Sequence, residues 1–278
     1  MNSYLIEKYG TIEITGQVRK NELCIIDSIT HGLFACFYCI LYGLYICEME
    51  DIHPVVVLGE KHLYFEKERG GNVFEYFYRK SHRKSEHDLS NISKMTISDP
   101  GFFLSWGRIS TSEKTISNLL ISKYFVLRSS VKKQIEHFCE QHLKDLKIVG
   151  VHFRGTDKVK ETPLLDFGAY EHRIDLMLAM GVCDKFFFAT DELHLRTYVR
   201  KKYGEKAIMH DWQSQYAVRT GNEGLHFSHT TPYLSALDAL TECYILSKCQ
   251  FLLSSSKSSM SLFATFLNPD LLHLVIEP

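Results

Sequence analysis

The chain has 278 residues, 32 of them basic and 33 acidic, for a formal charge of -1. That balance excludes a general attraction to nucleic acid or to an anionic membrane, so any anion must be held by a local site. With 18 Phe, 15 Tyr and 2 Trp the chain is not disordered, and its length suits one large or two modest domains. The eight cysteines do not make a disulfide scaffold at this length. Most sit in apolar runs, as Cys24, Cys36, Cys39, Cys47, Cys243 and Cys249 do, which is the pattern of buried free thiols. Cys36-Phe-Tyr-Cys39 has the CxxC spacing, but no second pair stands at a zinc-ribbon distance. Met1 to Glu22 is polar, with charges of both signs and no leader-like apolar stretch. The expected compartment is therefore reducing and cytoplasmic.

From the amino terminus, Thr11-Ile-Glu-Ile-Thr15 alternates and Leu23-Cys-Ile-Ile26 is apolar, which predicts a short β-rich start. Gly32 to Cys47 is an unbroken apolar run, shorter than the ~20 residues of a spanning helix. Its flanks, Asp27 and Glu48-Met-Glu50-Asp51, are acidic and supply no positive-inside anchor. A core helix capped by Ser28 or Thr30 is the preferred reading, with a membrane-associated helix as the alternative. Val55-Val-Val-Leu58 predicts another buried strand. Arg79-Lys-Ser-His-Arg-Lys84 is either solvated surface or a docking face for a membrane or acceptor. In the second case the protein would sit peripherally at the inner face of a membrane. Ser117 to Leu146 reads as helical, and a domain boundary is expected near residue 145, separating 1–145 from 146–278.

Beyond that boundary the rhythm becomes strand, loop, helix, repeated. Strands are expected at 147–153, 185–190, 206–209, 250–253 and 272–276, and helices at 166–180, 192–203, 234–248 and 258–267. This alternation is the mark of an α/β doubly wound parallel sheet, whose ligands bind at the carboxyl ends of the strands. The first strand ends in His152-Phe-Arg154-Gly-Thr-Asp157-Lys158, either a solvated charged turn or a phosphate site with an Arg fork and a mobile Lys. The second ends in Thr190-Asp191-Glu192, where a helix cap accounts for the same residues. The strand at 250–253 runs into Ser254-Ser-Ser-Lys257-Ser258-Ser259 ahead of an apolar helix, either a capping loop or an anion site at a helix N-terminus. Glu242 lies in an apolar helix, as an exposed carboxylate or as a hydrogen-bond acceptor for a ligand.

Val149-Gly-Val-His-Phe-Arg-Gly-Thr-Asp-Lys158 resembles the His-x-Arg-Arg-Thr-Asp-Lys motif of the α1,6-fucosyltransferases. These belong with the α1,2-, protein O- and rhizobial nodulation fucosyltransferases. Phe188-Ala-Thr-Asp-Glu192 is similar to the second motif of that superfamily. Glu242 through Ser259 resembles the third, an acid leading a helix, then a strand, then a Ser-rich tip. The three stand in family order across residues 147–264, and His31-Gly-Leu-Phe34 is similar to the Gly-rich loop that opens these enzymes. The resemblance implies a GT-B-like architecture of two Rossmann-like halves, with GDP-fucose held by the C-terminal half. It implies inversion without a metal or other cofactor, and no Asp-x-Asp occurs in the chain. By resemblance Arg154 binds the β-phosphate, His152 and Asp191 shape the nucleotide pocket, Glu242 reads guanine, and Ser258 and Ser259 touch the diphosphate.

Three positions depart from the pattern. The second Arg is Gly155, which leaves Lys158 or Lys257 to supply the missing cation. The family base falls at Thr162, with Glu161 one position earlier. The guanine-reading Asp is Glu242. The expectation is a fucosyltransferase acting on a glycan or glycolipid hydroxyl in polysaccharide biosynthesis, with Glu161 as first choice for the base and Asp157 as second. A transferase using another GDP-sugar and a non-catalytic nucleotide- or sugar-binding protein are the alternatives.

Overall fold

The computed structural model describes residues 1–28, 32–80, 91–99, 110–155, 166–213 and 231–277. They fall into two compact units, Met1–Arg128 and Ser129–Pro278.

In the first unit, helix α1 (Asn2–Tyr9) precedes β1 (Ile12–Thr15) and β2 (Leu23–Ser28). Helix α2 (Leu33–Met49), β3 (His53–Val56), a single helical turn α3 (Phe74–Phe77), β4 (Ser93–Ile97) and α4 (Thr111–Tyr124) follow. The sheet order is β1-β4-β2-β3, with β2 parallel to both neighbours and β1 antiparallel at the edge. The β-rich start of the sequence reading therefore also contains a helix, anchored by the buried Leu5. Helix α2 is buried almost all round, as an apolar run without a polar face must be. It lies on β2, β3, β4 and α4, and Gly43 lets it approach closely, since a Cβ there would stand 2.5 Å from Ile26 Cγ2. Among the described residues no helix is long and apolar enough to cross a membrane. Phe37, Phe74 and Tyr78 each meet Phe125 edge to face in the core, with Phe37–Phe125 and Phe74–Phe125 centroids 5.4 and 5.1 Å apart.

The helical stretch expected over 117–146 is two helices, α4 and α5 (Ser129–His142). The break arises because the intervening backbone pairs elsewhere: Arg79 N–H donates to Val126 O and Arg128 N–H to Phe77 O. Helix α5 buries Val131 and Ile135, packs on a helix of the second unit and belongs with it, so the compact units divide earlier than residue 145.

The second unit continues with β5 (Ile148–Phe153), α6 (Phe167–Ala179), β6 (Lys185–Thr190), α7 (Leu193–Tyr203) and β7 (Ala207–Ile208). Then come α8 (Pro232–Leu246), β8 (Phe251–Ser255), α9 (Ser259–Leu267) and β9 (Leu272–Ile276). All described strands of this sheet are parallel, in the order β7-β6-β5-β8-β9. Every residue of β5 is buried, which is why it reads as a continuous apolar run. Alternation divides its side chains between two faces. Val149, Val151 and Phe153 pack with Tyr170 and Ile174 of α6 and with Phe186 and Phe188 of β6. Gly150 faces α8, where a Cβ would stand 2.9 Å from Leu246 Cδ2. His152 shares the face of Gly150.

Candidate active site

In the second unit β5 is central. The chain winds from it through β6 to β7 on one side, then returns to β8 and β9 on the other. Strands β5 and β8 pair from Val149↔Phe251 to His152↔Ser254. The strand order reverses between them, and the carboxyl ends of strands at such a switch point are where doubly wound sheets bind ligands. His152, Arg154 and the serine tip all lie at this switch point.

His152 is 6% exposed, with Nδ1 2.7 Å from Ser261 Oγ and 3.0 Å from Ser258 Oγ. Burial, then the neighbouring Arg154 and His273, push its pKa down to about 3, so the ring is neutral at physiological pH. Ser258 is the N-cap of α9 and accepts from Ser261 N–H at 3.2 Å. Its buried hydroxyl therefore joins the helix start to His152 rather than standing open to a ligand. Behind it, Ser254 Oγ lies 2.7 Å from His273 Nε2. Lys257 is exposed on the turn, where its backbone N–H donates to Ser255 Oγ, and Ser259 opens the helix half-buried. Arg154 is half-buried one residue past β5. Among the described residues at these strand ends, the positive charge is that of Arg154, Lys257 and the N-terminal end of α9.

Asp191 holds the tips of β5 and β6 together by accepting from Gly155 N–H at 3.1 Å. Glu192 lies across Gly155, where a Cβ would stand 1.6 Å from Glu192 Oε1, and its other oxygen pairs with His194 at 3.0 Å. The glycine in place of the motif's second arginine thus has a steric counterpart. Gly155→Ala should cost about 1 kcal/mol, because the carboxylate must swing aside, and a second change, Glu192→Ala, should cancel most of that loss. Urea unfolding of the two single variants and the pair measures this. Additive losses would mean that the two positions do not compete for space.

Glu242 is not an exposed helical carboxylate. It is 5% exposed, and its Oε1 accepts from Trp212 Nε1 at 2.8 Å and from Arg196 Nη1 at 3.3 Å. The Arg196 guanidinium lies 4.1 Å over the Trp212 ring and also donates to His210 O. Burial raises the Glu242 pKa to about 7, against the opposing pull of Arg196 and Trp212. One turn earlier, Asp238 is 1% exposed and accepts from Gln213 N–H at 3.0 Å. The sequence reading missed Arg196, Trp212 and Asp238. Two acids four residues apart in an apolar helix were the available signal, because buried carboxylates require donors.

Asp157, Lys158 and Glu161 lie outside the described residues, as do His31 and residues 81–84 of the basic segment. Among the described residues no cluster of three His, Cys, Asp or Glu is placed to hold a metal.

The fold is that of the GT-B fucosyltransferases. The chain is similar to the solved structure of NodZ α-1,6-fucosyltransferase soaked with GDP-fucose, at 16% identity and a TM-score of 0.57, covering 90% of this chain and 94% of that one. Fucosyltransferase NodZ from Bradyrhizobium is similar at 13% identity and a TM-score of 0.52, with 90% and 94% covered. POFUT1 in complex with GDP is similar at 11% identity and a TM-score of 0.60, with 93% and 99% covered. No family model and no curated protein matches the sequence.

Proposed function

We propose that this chain is a glycosyltransferase that moves fucose from GDP-fucose to a hydroxyl of a glycan or glycolipid, with inversion and without a metal. The reading is supported by sequence position on the sheet: Arg154 follows β5, Lys257 and the α9 N-terminus follow the neighbouring parallel strand β8, and the two strands flank the switch point. That arrangement suits a diphosphate leaving group. The likeness to NodZ soaked with GDP-fucose and to POFUT1 with GDP supports GDP-fucose as the donor. Residues 146–278 would hold the donor and residues 1–145 would serve the acceptor.

The reaction is a single displacement. A carboxylate takes the acceptor proton while Arg154, Lys158 and Lys257 offset the charge that develops on GDP. Asp191 braces the tip that carries Arg154, and Ser258 and Ser259 present the helix end. His152 forms the neutral wall of the pocket. Glu242 reads guanine only with the acceptor capacity that Trp212 and Arg196 leave to it. The absence of a second Arg beside Arg154, with Glu192 in its space, removes a cation from the diphosphate and favours a second reading, a non-catalytic nucleotide- or sugar-binding protein.

The deciding experiment measures GDP release in EDTA, with GDP-fucose and other GDP-sugars across a panel of glycan and glycolipid acceptors. Acceptor-dependent release from GDP-fucose supports the proposal. Release from another GDP-sugar alone keeps the transferase and changes its donor. GDP binding without any release makes the protein a binder, and activity restored only by Mg²⁺ or Mn²⁺ assigns a different transferase class.

Glu161 is the proposed base. Glu161→Gln should lower kcat with little effect on GDP affinity, because the neutral isostere keeps the shape but cannot take the proton. Asp157→Asn should instead weaken nucleotide binding or stability. Steady-state kinetics beside GDP titration separates the two, and the opposite pattern would exchange their roles.

A further inference from the structure

In the second unit, four side chains from separate elements meet. Arg196 lies near the start of α7, His210 and Trp212 in the segment after β7, and Glu242 in α8. Arg196, His210 and Glu242 are buried, whereas Trp212 is half-buried. The indole N–H donates to Glu242 Oε1 at 2.8 Å, and the Arg196 guanidinium carbon stands 4.1 Å over the indole ring. A flat bicyclic ring is thus seated on a cation, with its N–H turned to a buried carboxylate. Arg196 reaches the same oxygen through one nitrogen at 3.3 Å and gives another to His210 O. It therefore makes no bidentate fork on the acid and offers its face to the ring.

The surroundings are more polar than the ring they hold. An indole brings one donor and no acceptor. His210 Nδ1 is buried without a hydrogen-bond partner, 3.9 Å from Asp238 Oδ1, and Thr241 Oγ1 is also buried and unpartnered. Asp238, Thr241 and Glu242 stand at i, i+3 and i+4 of α8, on one stripe of the helix. Native proteins rarely leave such buried atoms orphaned, and a ring with more donors and with acceptors would use them. Guanine is a bicycle of similar size to indole. It donates N1–H and N2–H2 from one edge and carries acceptors at O6 and N7. Two parallel N–H groups match a carboxylate better than one. Adenine presents an acceptor at the matching ring position, and uracil is a single ring with one N–H.

Resting on the GDP-sugar reading, we propose that the Trp212 indole occupies the guanine seat in the nucleotide-free protein and is displaced when GDP binds. Guanine then takes over the bond to Glu242 and the place against Arg196. Trp212 is thereby a specificity-determining residue, because a base that cannot replace its N–H leaves it in place. Binding is weakened by the work of releasing the indole, and guanine recovers that work in its own bonds. The exchange needs only one side chain to turn. Trp212 stands outside helix and strand, and Gln213 N–H, held by Asp238 at 3.0 Å, fixes the backbone beside it.

The test is hydroxyl-radical footprinting of the intact protein, alone and with saturating GDP, ADP or UDP, with Trp212 oxidation read by peptide mass spectrometry. GDP should raise the oxidation of Trp212, and ADP and UDP should leave it unchanged. Trp212→Phe keeps a ring over Arg196 but removes the N–H. It should bind GDP ~10-fold more tightly, the scale of a hydrogen bond to a charged acceptor freed from competition. A fixed wall on which guanine stacks behaves in the opposite way: GDP shields it, and its loss weakens binding. Trp212 shielded or unchanged while GDP is bound overturns the proposal and leaves the donor reading standing, as does equal exposure by ADP. If neither the unaltered protein nor Trp212→Phe binds GDP, the donor reading falls and this proposal with it. If the variant does not fold, the footprint of the unaltered protein still decides.

Discussion

Arg154→Ala is expected to lower kcat/KM for the sugar donor by ~100-fold or more, the scale of losing one donor to a developing transition-state charge. The expectation follows from how few cations stand at the described strand ends. His152, two residues before it, is buried against Ser258 and Ser261, and its ring is neutral at physiological pH. Gly155, the next residue, contributes no charge, and Glu192 brings a carboxylate over it. Arg154 is therefore asked to supply most of the fixed positive charge on the β5 side, with Lys257 on an exposed turn of the β8 side. Arg154→Lys should recover only part of the loss, because a point charge replaces a bidentate fork. GDP release kinetics, with circular dichroism to establish that the variants fold, checks this. An alanine variant with near wild-type turnover would remove Arg154 from the site.

Glu242→Ala is expected to destabilise the protein by about 3 kcal/mol or more, because it leaves Arg196 buried without its carboxylate and Trp212 Nε1 without its acceptor. Glu242→Gln should cost much less, since an amide oxygen still accepts from both. The two variants also differ in pH dependence. The folded pKa of Glu242 is raised to about 7 from a usual 4.5, so the folded state binds the extra proton between those values. The contribution of this group to stability is therefore full below about 4.5 and is lost as pH rises through about 7. Glu242→Gln should remove that decline. Urea unfolding at pH 5 and pH 8 measures both effects, and an alanine variant as stable as wild type at both would mean that Arg196 finds another partner.

The strands of the second unit were legible because central parallel strands are buried on both faces and so read as short continuous apolar runs. Lys185–Thr190 and Leu272–Ile276 have the bounds that the residues predict. That 152–155, 190–192 and 254–259 stand at strand ends was legible for a related reason. In a doubly wound sheet, chemistry placed just past an apolar run falls at one edge of the sheet whatever the details of packing. Expectations that rested on one segment alone failed where a distant segment competed for its backbone, as when residues 126–128 paired with 77–79 and split one helix into two.

Partners across the chain were beyond the reach of local pattern. Arg196 and Glu242 are 46 residues apart and Trp212 and Glu242 are 30 apart. No periodicity in these segments points from one to another. Helix periodicity left Glu242 equally compatible with solvent and with a ligand, and only the folded chain shows Trp212 and Arg196 already occupying it. Local sequence dictates which residues are apolar, where strands end and what chemistry stands at those ends. Which buried charges meet is decided by tertiary packing, because a buried charge is tolerated only where a donor or an opposite charge from another element reaches it.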